Sequence, residues 1–290
     1  MDVDNGSYHG LEKLSNETKR DFAQRKTFLA FMNHVLTGAG HEPEAEPISA
    51  LKSGVCLARI LVALTGREIS GVDYNPGENK LKCLNNLQLC LNFARDTGLV
   101  LTNIGGNDIY EGNYQLTMGL LWQIVIKYHI AGKLATLCNT GDKNGRATEC
   151  DMKDSLIAWC NGRLAMVGEI RRVENLTTDF SDGAVLSAIT ASFDPSFAAV
   201  YQGEMQSVHK LRRAIGRSQA ILQVPALLSA GDIIDNPDEK AIMTYLAYFV
   251  AVEKTQKGVL PVVAVAEPSP GTRATFRGTE VNVKSVERGG

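Results

Sequence analysis

The chain has 290 residues, which at roughly 150 residues per domain predicts two domains or one large one. Hydrophobic residues make up 44% and charged residues 21%, a composition that excludes a collagen-like or fully disordered chain. Lys and Arg number 30 against 32 Asp and Glu, a net charge of −2. Because such a chain lacks the broad basic field that dominates non-specific nucleic-acid binding, we expect no nucleic-acid partner.

The N-terminal segment, Met1 to Asp21, mixes charged residues with Gly and Ser and has no apolar core of the kind found in secretory signals. The longest apolar stretch, Met118 to Ile126, is interrupted by Gln123. It is far shorter than the roughly 20 residues that cross a bilayer. The six cysteines form no CxxC pair and lie mostly in helical apolar patterns, as reduced structural thiols do. These features predict a cytoplasmic protein without a transmembrane segment.

Four apolar stripes with helical spacing follow in the first half of the chain. They are Phe28, Phe31/Met32 and Val35; Leu51, Val55, Ile60/Leu61 and Leu64; Leu84, Leu87, Leu91 and Ala94; and Leu116, Leu120/Leu121, Ile124/Val125 and Tyr128. The second half has the same character. Its last helix is predicted to begin at Asn236-Pro237-Asp238-Glu239, with Asn236 as N-cap and Pro237 at the first helical position.

The two halves of the chain align with each other. Thr27 to Asn33 matches Ser155 to Asn161 at an offset of 128 residues, and Leu51 to Leu57 matches Phe180 to Leu186 at an offset of 129. Three further blocks follow in the same order, at offsets between 124 and 127. The repeat predicts two homologous helical modules of roughly 100 to 110 residues each.

The predicted fold is all-α, with two tandem helical modules joined by a polar linker and followed by a C-terminal tail. The predicted segments are a flexible flank at 1–21, the first module at 22–131, the linker at 132–151, the second module at 152–254 and the tail at 255–290. Thr275 to Val283 alternates weakly like a strand, so the tail is either flexible or the start of a following β domain.

No constellation in the sequence indicates an enzyme or a cofactor site. The five histidines have no HxxxH spacing, so they are interpreted as surface or capping residues. The glycine pairs lack the GxGxxG frame of a nucleotide loop. Asp142 to Gly145 hints at a calcium loop, but its Gly comes two positions too early. We expect no catalytic residues, no metal and no cofactor.

A longer motif carries a resemblance to a known family. Leu101 to Asn113, continued by Gln115 to Trp122, resembles the signature of the tandem calponin-homology actin-binding domain of the filamin, α-actinin and spectrin superfamily. The resemblance extends from Phe22 to Lys254. Departures such as Phe31 and Phe180, where the family usually has Trp, are compatible with a divergent, protist filamin-like member.

The resemblance implies two calponin-homology modules that bind F-actin mainly through the first, in an actin-crosslinking cytoskeletal protein at the cell cortex. Opening of the two-module pair would regulate binding. The residues it implies as actin contacts are Lys26, Thr27, Phe28, Phe31, Asn107, Asn113, Gln115, Thr117, Gln123, Lys127, Lys153 and Leu156. Among their neighbours, Leu120, Leu121 and Trp122 are predicted to be core residues.

A basic cluster in the second half allows two interpretations. Its members are Arg171, Arg172, Lys210, Arg212, Arg213 and Arg217. They form either a solvated face or a site for a phosphoinositide headgroup, which the resemblance to α-actinin allows. An alternative function is a calponin-homology module for another partner, such as microtubules or a signalling scaffold. The parent protein is expected to dimerise, if it does, through segments outside this chain.

Overall fold

The helices described below come from a computed structural model of the chain. It describes residues 19–135, 137, 148–197, 206–258, 275–276 and 279–280. Most of the predicted N-terminal flank, of the polar linker and of the tail lies outside the described residues. Where the linker is described, helical residues occupy both of its ends, up to Leu134 and from Glu149.

The first module is built of helices. They are α1 (Lys19–Gly38), α2 (Pro47–Leu51), α3 (Val55–Thr65), α4 (Lys80–Asp96), α5 (Gly106–Glu111) and α6 (Tyr114–Ile124). Helix α6 continues without a break through a π-helical turn, Val125–Ile130, into α7, Ala131–Leu134. The wider turn of the π-helix is uncommon in proteins and is often found near functional sites.

The second module repeats the pattern. Its helices are α8 (Glu149–Met166), α9 (Ala184–Phe193), α10 (Ser207–Leu222), α11 (Ala230–Asp235) and α12 (Glu239–Gly258), with a 3₁₀ turn at Thr178–Phe180 before α9. The prediction of an all-α tandem fold is confirmed. No helix among the described residues combines the length and the apolar character needed to cross a membrane.

Residues 253–290 form a separate unit. Its described part includes a two-residue antiparallel strand pair, in which Thr275 is opposite Glu280 and Phe276 is opposite Thr279.

One predicted helix start is wrong in detail. Helix α12 begins at Glu239, and the N-cap is Asp238 instead of Asn236. The Asp238 carboxylate accepts a hydrogen bond from the Ala241 backbone N–H at 2.9 Å, and the Asp238 carbonyl accepts from the Ile242 N–H at 3.0 Å. Asp and Asn are equally good N-caps, so a sequence that has Asn236 and, two residues later, Asp238 does not decide between them.

Equivalent asparagines bind the loop after the first helix of each module. The Asn33 side chain accepts from the Glu44 N–H and donates to the Glu44 carbonyl, at 2.7 and 2.8 Å. Asn161 makes the same two bonds to Val173, at 2.8 and 3.0 Å. A primary amide can satisfy a backbone donor and acceptor at once, which explains why the repeat carries Asn at both positions.

Equivalent glycines begin α3 and α9. Gly54 and Gly183 are the N-cap residues and have φ values of 74° and 77°. A Cβ at Gly54 would lie 2.6 Å from the Asn86 Cβ, and one at Gly183 would lie 2.9 Å from the Lys210 Cβ. The glycines are therefore required both by the left-handed backbone and by the close passage of α4 and α10.

Substituting Gly54 by Ala should destabilise the first module strongly. The left-handed conformation costs an L-residue about 1–2 kcal/mol, and the clash with α4 adds a further ~1–3 kcal/mol of overpacking strain. The matched control is Gly66→Ala, at φ 67° with open space around its Cβ position, which should show the conformational cost alone. Urea unfolding of both variants measures the difference, and equal midpoints would contradict the close-approach explanation.

Candidate functional site

Five of the predicted contact residues are core residues in the structure. The side chains of Thr27, Phe28, Phe31, Thr117 and Leu156 are all buried, with exposures of 1% or less. The Thr27 hydroxyl donates to the Ala23 carbonyl within α1, at 3.0 Å. While the two modules are in contact, as in the structure, a filament could not touch these side chains, so the expectation that they form surface contacts is not supported.

The buried residues lie beside the ones that were predicted to be core. Leu120, Leu121 and Trp122 are buried as expected. The Phe28 and Trp122 rings are stacked, with centroids 6.0 Å apart and planes 6° from parallel. Phe28 and Trp122 therefore belong to the core of the first module.

The remaining predicted residues of α6 lie along an exposed groove. Val100, Thr102, Gln115, Gly119 and Gln123 line an open cavity of about 200 Å³, which we call the α6 groove. Gln115 is exposed and Gln123 is half-buried, while Val100 is 69% exposed. An apolar floor with amide groups along one helix face is suited to contact with another protein surface.

Three further predicted residues are accessible, and two of them also hold the fold. Asn113 is the N-cap of α6 and accepts from the Leu116 N–H at 3.1 Å. Lys127 is half-buried and donates to the Gly98 carbonyl at 3.1 Å. Asn107 is exposed. Substitution of Asn113 or Lys127 would therefore change local structure as well as any binding.

Both remaining predicted lysines are in ion pairs. Lys26 on α1 lies 3.0 Å from Asp232 on α11, so this pair joins the two modules. Lys153 lies 2.7 Å from Glu239, inside the second module, and this hydrogen bond raises the pKa of Lys153. The side chains of Lys26 and Lys153 are still 34% and 33% exposed.

Trp122 also takes part in the contact between the modules. The Lys240 ammonium lies 5.2 Å from the centroid of the Trp122 ring, within the range of a cation–π attraction. The indole N–H of Trp122 donates to Glu149 at 3.1 Å. Glu149 and Lys240 belong to the second module, so both of these contacts of Trp122 join the two modules.

A cluster of aromatic and basic side chains, the histidine cluster, fills the middle of the same contact. It consists of Phe31, His34, His129, Lys133 and Tyr248. His129 is only 2% exposed, and the centroid of its ring lies 5.1 Å from that of Phe31 and 4.3 Å from that of Tyr248. The interpretation of the histidines as surface or capping residues is wrong for His129.

Sequence reasoning missed His129 although a signal was present. Leu121, Val125 and His129 follow one another at intervals of four residues, which places His129 on the apolar face of its helix. The lack of metal-binding spacing bears on whether His129 is a metal ligand, and it does not indicate whether the side chain is buried.

The structure divides the predicted basic cluster into two places. Arg212, Arg213 and Arg217 on α10 line a cavity of about 360 Å³ together with Ser196 and Phe197, which we call the arginine cavity. Arg212 and Arg213 are exposed.

Arg217 is paired within the arginine cavity. It donates to Asp194 at 2.5 Å and to Ser196 at 2.9 Å. The hydrogen bond from Arg217 holds the pKa of Asp194 below its usual value.

Two of the other members, Arg171 and Lys210, lie near Asp182. Arg171 pairs with the Asp182 carboxylate, and Lys210 is within electrostatic reach of the same carboxylate. Arg172 is exposed.

Most of the described cysteines are buried thiols. The described residues contain no group of three or more His, Cys, Asp or Glu side chains arranged to hold a metal ion. Cys56, Cys83, Cys90, Cys150 and Cys160 are free thiols, all buried except Cys150. Burial raises the pKa of Cys56 and of Cys90 to about 12, so these two thiols stay protonated and unreactive at neutral pH.

Comparison with known proteins gives several relatives that match most of this chain. The chain is 28% identical over 241 residues to the spectrin β chain of Drosophila melanogaster, covering 82% of this chain and 10% of that protein. It is 28% identical over 231 residues to human α-actinin-3, covering 78% of this chain and 24% of that protein. The chain therefore spans a quarter or less of the length of these relatives.

A solved structure shares the fold. It is described as the actin-crosslinking core of Schizosaccharomyces pombe fimbrin, and it matches with a TM-score of 0.61 at 20% identity. The match covers 80% of this chain and 49% of that one.

The family model of the calponin homology (CH) domain matches the chain twice, at residues 22–130 and 150–255. These matches contain both glycines and both asparagines that the structure places in equivalent roles. The chain belongs to the calponin homology domain family and carries two CH modules in tandem.

Proposed function

We propose that the chain binds F-actin as part of a longer actin-crosslinking protein, with the first CH module as the principal binding surface. The observation that carries the proposal is the α6 groove, an open surface with amide side chains on the first of two tandem CH modules. The description of the fimbrin fragment as an actin-crosslinking core supports it. Crosslinking would require segments outside these 290 residues, and the parent would work in the cytoplasm, at the actin cytoskeleton or cell cortex.

Binding would depend on shape and local polarity. Residues 22–131 carry 9 basic and 9 acidic side chains, so the first module has no net charge to draw it toward an acidic filament. The accessible candidates are Asn107, Asn113 and Gln115, which are exposed, and Gln123 and Lys127, which are half-buried. A surface of this kind supports micromolar binding, about −8 kcal/mol.

The second module would regulate binding by its contact with the first. In the structure Lys26 pairs with Asp232, and Trp122 is covered by Lys240. We propose that opening of the pair frees Lys26 to meet the filament and removes the bulk of the second module from its path. Lys153 on α8 would become a further contact in the opened state.

Adding negative charge to the α6 groove should weaken actin binding. For the double variant Gln115→Glu and Gln123→Glu we expect at least a tenfold higher Kd in cosedimentation with F-actin, about 1.4 kcal/mol. The helix should tolerate the change, because Gln and Glu have similar helix propensities and Glu is favourable in the first turn.

The control for this variant is Gln219→Glu, a similar change at an exposed position on α10. It should bind as the wild type does. Equal binding by the double variant would remove the α6 groove from the interface. Wild-type chain that pellets with microtubules and leaves F-actin behind would favour the alternative function.

Weakening the ion pair between the modules should strengthen actin binding. In Asp232→Asn the amide can still accept from the Ser229 N–H, now at 2.9 Å from the carboxylate, but the attraction for Lys26 is lost. A half-exposed pair contributes about 0.2–1 kcal/mol, so we expect the Kd for F-actin to fall by up to about fivefold. Asp235→Asn, at an exposed position on the same helix, is the control, and identical affinities of the two variants would contradict regulation by opening.

A second candidate function is binding of a phosphoinositide headgroup at the arginine cavity. Arg212 and Arg213 present exposed guanidinium groups at its edge, and guanidinium groups bind phosphate in bidentate fashion. Arg171, Arg172 and Lys210 do not line this cavity.

Replacing Arg212 and Arg213 together by Glu should abolish most binding to vesicles that contain phosphatidylinositol 4,5-bisphosphate. The loss is expected because two favourable charges become two repulsive ones at the headgroup. The variant Arg67→Glu with Arg95→Glu changes the net charge equally on the first module, where both residues are exposed, and should retain binding. Vesicle cosedimentation measures both, and equal losses would show a non-specific charge effect.

A further inference from the structure

The hydrogen bonds of His129 fix where its proton lies. Nε2 is 3.0 Å from the backbone carbonyl oxygen of Thr244 on α12, an atom that can only accept, so Nε2 carries the hydrogen. Nδ1 is 2.7 Å from the Lys133 Nζ, an ammonium group that can only donate, so Nδ1 is the acceptor. Both contacts are satisfied by one neutral tautomer and by no other state of the ring.

A second proton on His129 would have to sit on Nδ1, facing the Lys133 ammonium. The other ionisable groups around the ring do not offset this repulsion. His34 on α1 adds to it electrostatically, and Tyr248 on α12 presents its ring, with a hydroxyl whose pKa is raised by burial.

Helix α3 also packs on the π-helical turn. Its ionisable side chains are Cys56, which stays uncharged because burial raises its pKa to about 12, and Arg59, which is a cation. Neither supplies the negative charge that a protonated His129 would need.

The electrostatics of the site agree with its geometry. Burial, and then the charge of Lys133, lower the pKa of His129 from 6.5 to about 3. Burial and Lys133 also lower the pKa of His34, which lies 5.3 Å from the Tyr248 ring between centroids. Both histidines therefore resist protonation while the modules are in contact.

We propose that His129 is a proton-sensitive latch between the two CH modules: its neutral ring packs against α12, and a proton on Nδ1, which burial and the Lys133 ammonium oppose in the closed pair, favours release of the second module. The proposal rests on the opening step of the proposed function but not on the identity of the partner. It concerns the contact between α12 and the π-helical turn, which the Lys26–Asp232 pair does not include.

Linkage gives the direction of the effect. Once α12 moves away, His129 gains access to water and its pKa returns toward 6.5, so the open form binds a proton that the closed form refuses. The closed form is fully favoured above pH 6.5 and loses about a factor of ten in its closing constant for each pH unit below that value, down to about pH 3. Between pH 7.5 and pH 5.5 we expect the closing constant to fall about tenfold.

The test is small-angle X-ray scattering of the full 290-residue chain at pH 7.5, 6.5 and 5.5 and constant ionic strength. It is made on the wild type and in the Asp232→Asn background, where the weaker interface brings the open and closed populations closer together. The expected result is a growing open fraction as the pH falls. In His129→Gln, whose amide can donate to Thr244 and accept from Lys133 without titrating, most of this response should disappear.

Two controls accompany the titration. His209→Gln changes an exposed histidine on α10 and should keep the wild-type response. Lys26→Glu places a repulsive charge opposite Asp232 and should open the pair at pH 7.5 without a proton.

An unaltered response in His129→Gln would overturn the latch, and so would a wild type that stays closed at pH 5.5 while Lys26→Glu opens at pH 7.5. The second result would leave the opening step of the proposed function intact. If Lys26→Glu and the acidified wild type both stay closed, the opening step fails as well.

If His129→Gln does not fold, as judged by circular dichroism, the ring of His129 is titrated by NMR in the wild type. Protonation and opening should then share one midpoint. Opening with a neutral His129 ring would overturn the proposal.

Discussion

Each module depends on a close approach between the start of one helix and the flank of another. At Gly54 and Gly183 the chain turns through a left-handed residue and meets the next long helix at a distance that leaves no room for a Cβ. Asn86 completes the junction in the first module, where its amide donates to the carbonyls of Ser53 and Asp73 at 3.1 and 2.7 Å. Around this junction α1 and the π-helical turn pack on α3, and α5 packs on α4.

The helical repeat could be predicted from the sequence because its causes are local. Apolar spacing and turn-forming glycines act within a few residues of chain, and the blocks that contain Gly54 and Gly183 match at an offset of 129 residues. The predicted actin contacts, in contrast, include both accessible and buried residues. Gln115 and Gln123 are accessible, whereas Thr27, Thr117 and Leu156 are buried, because an amphipathic pattern shows one buried face but not a second helix that covers the opposite one.

The contact between the modules could not be predicted in this way. Lys26, Trp122 and His129 meet partners more than a hundred residues away in the sequence, and nothing in their local pattern names those partners. Among the described residues the contact is also chemically mixed: it includes the Lys26–Asp232 ion pair, cation–π contacts of Lys240 with Trp122 and of Lys133 with Tyr248, and the buried ring of His129. Such groups are worth little individually when exposed and much more when water is excluded. The stability of the closed pair therefore depends on how completely the contact is sealed.

The π-helical turn at Val125–Ile130 has a consequence for how the family can vary. A helix with one extra residue in a turn is rotated by about 100° beyond that point relative to an uninterrupted α-helix. His129 lies in this segment and Lys133 just after it, so the side of the helix that they present to α12 is set by the number of residues in the turn. The number of residues in this turn therefore sets the direction of the side chains that follow it. A relative with the same residues but one fewer in the turn would direct His129 and Lys133 away from its neighbouring module.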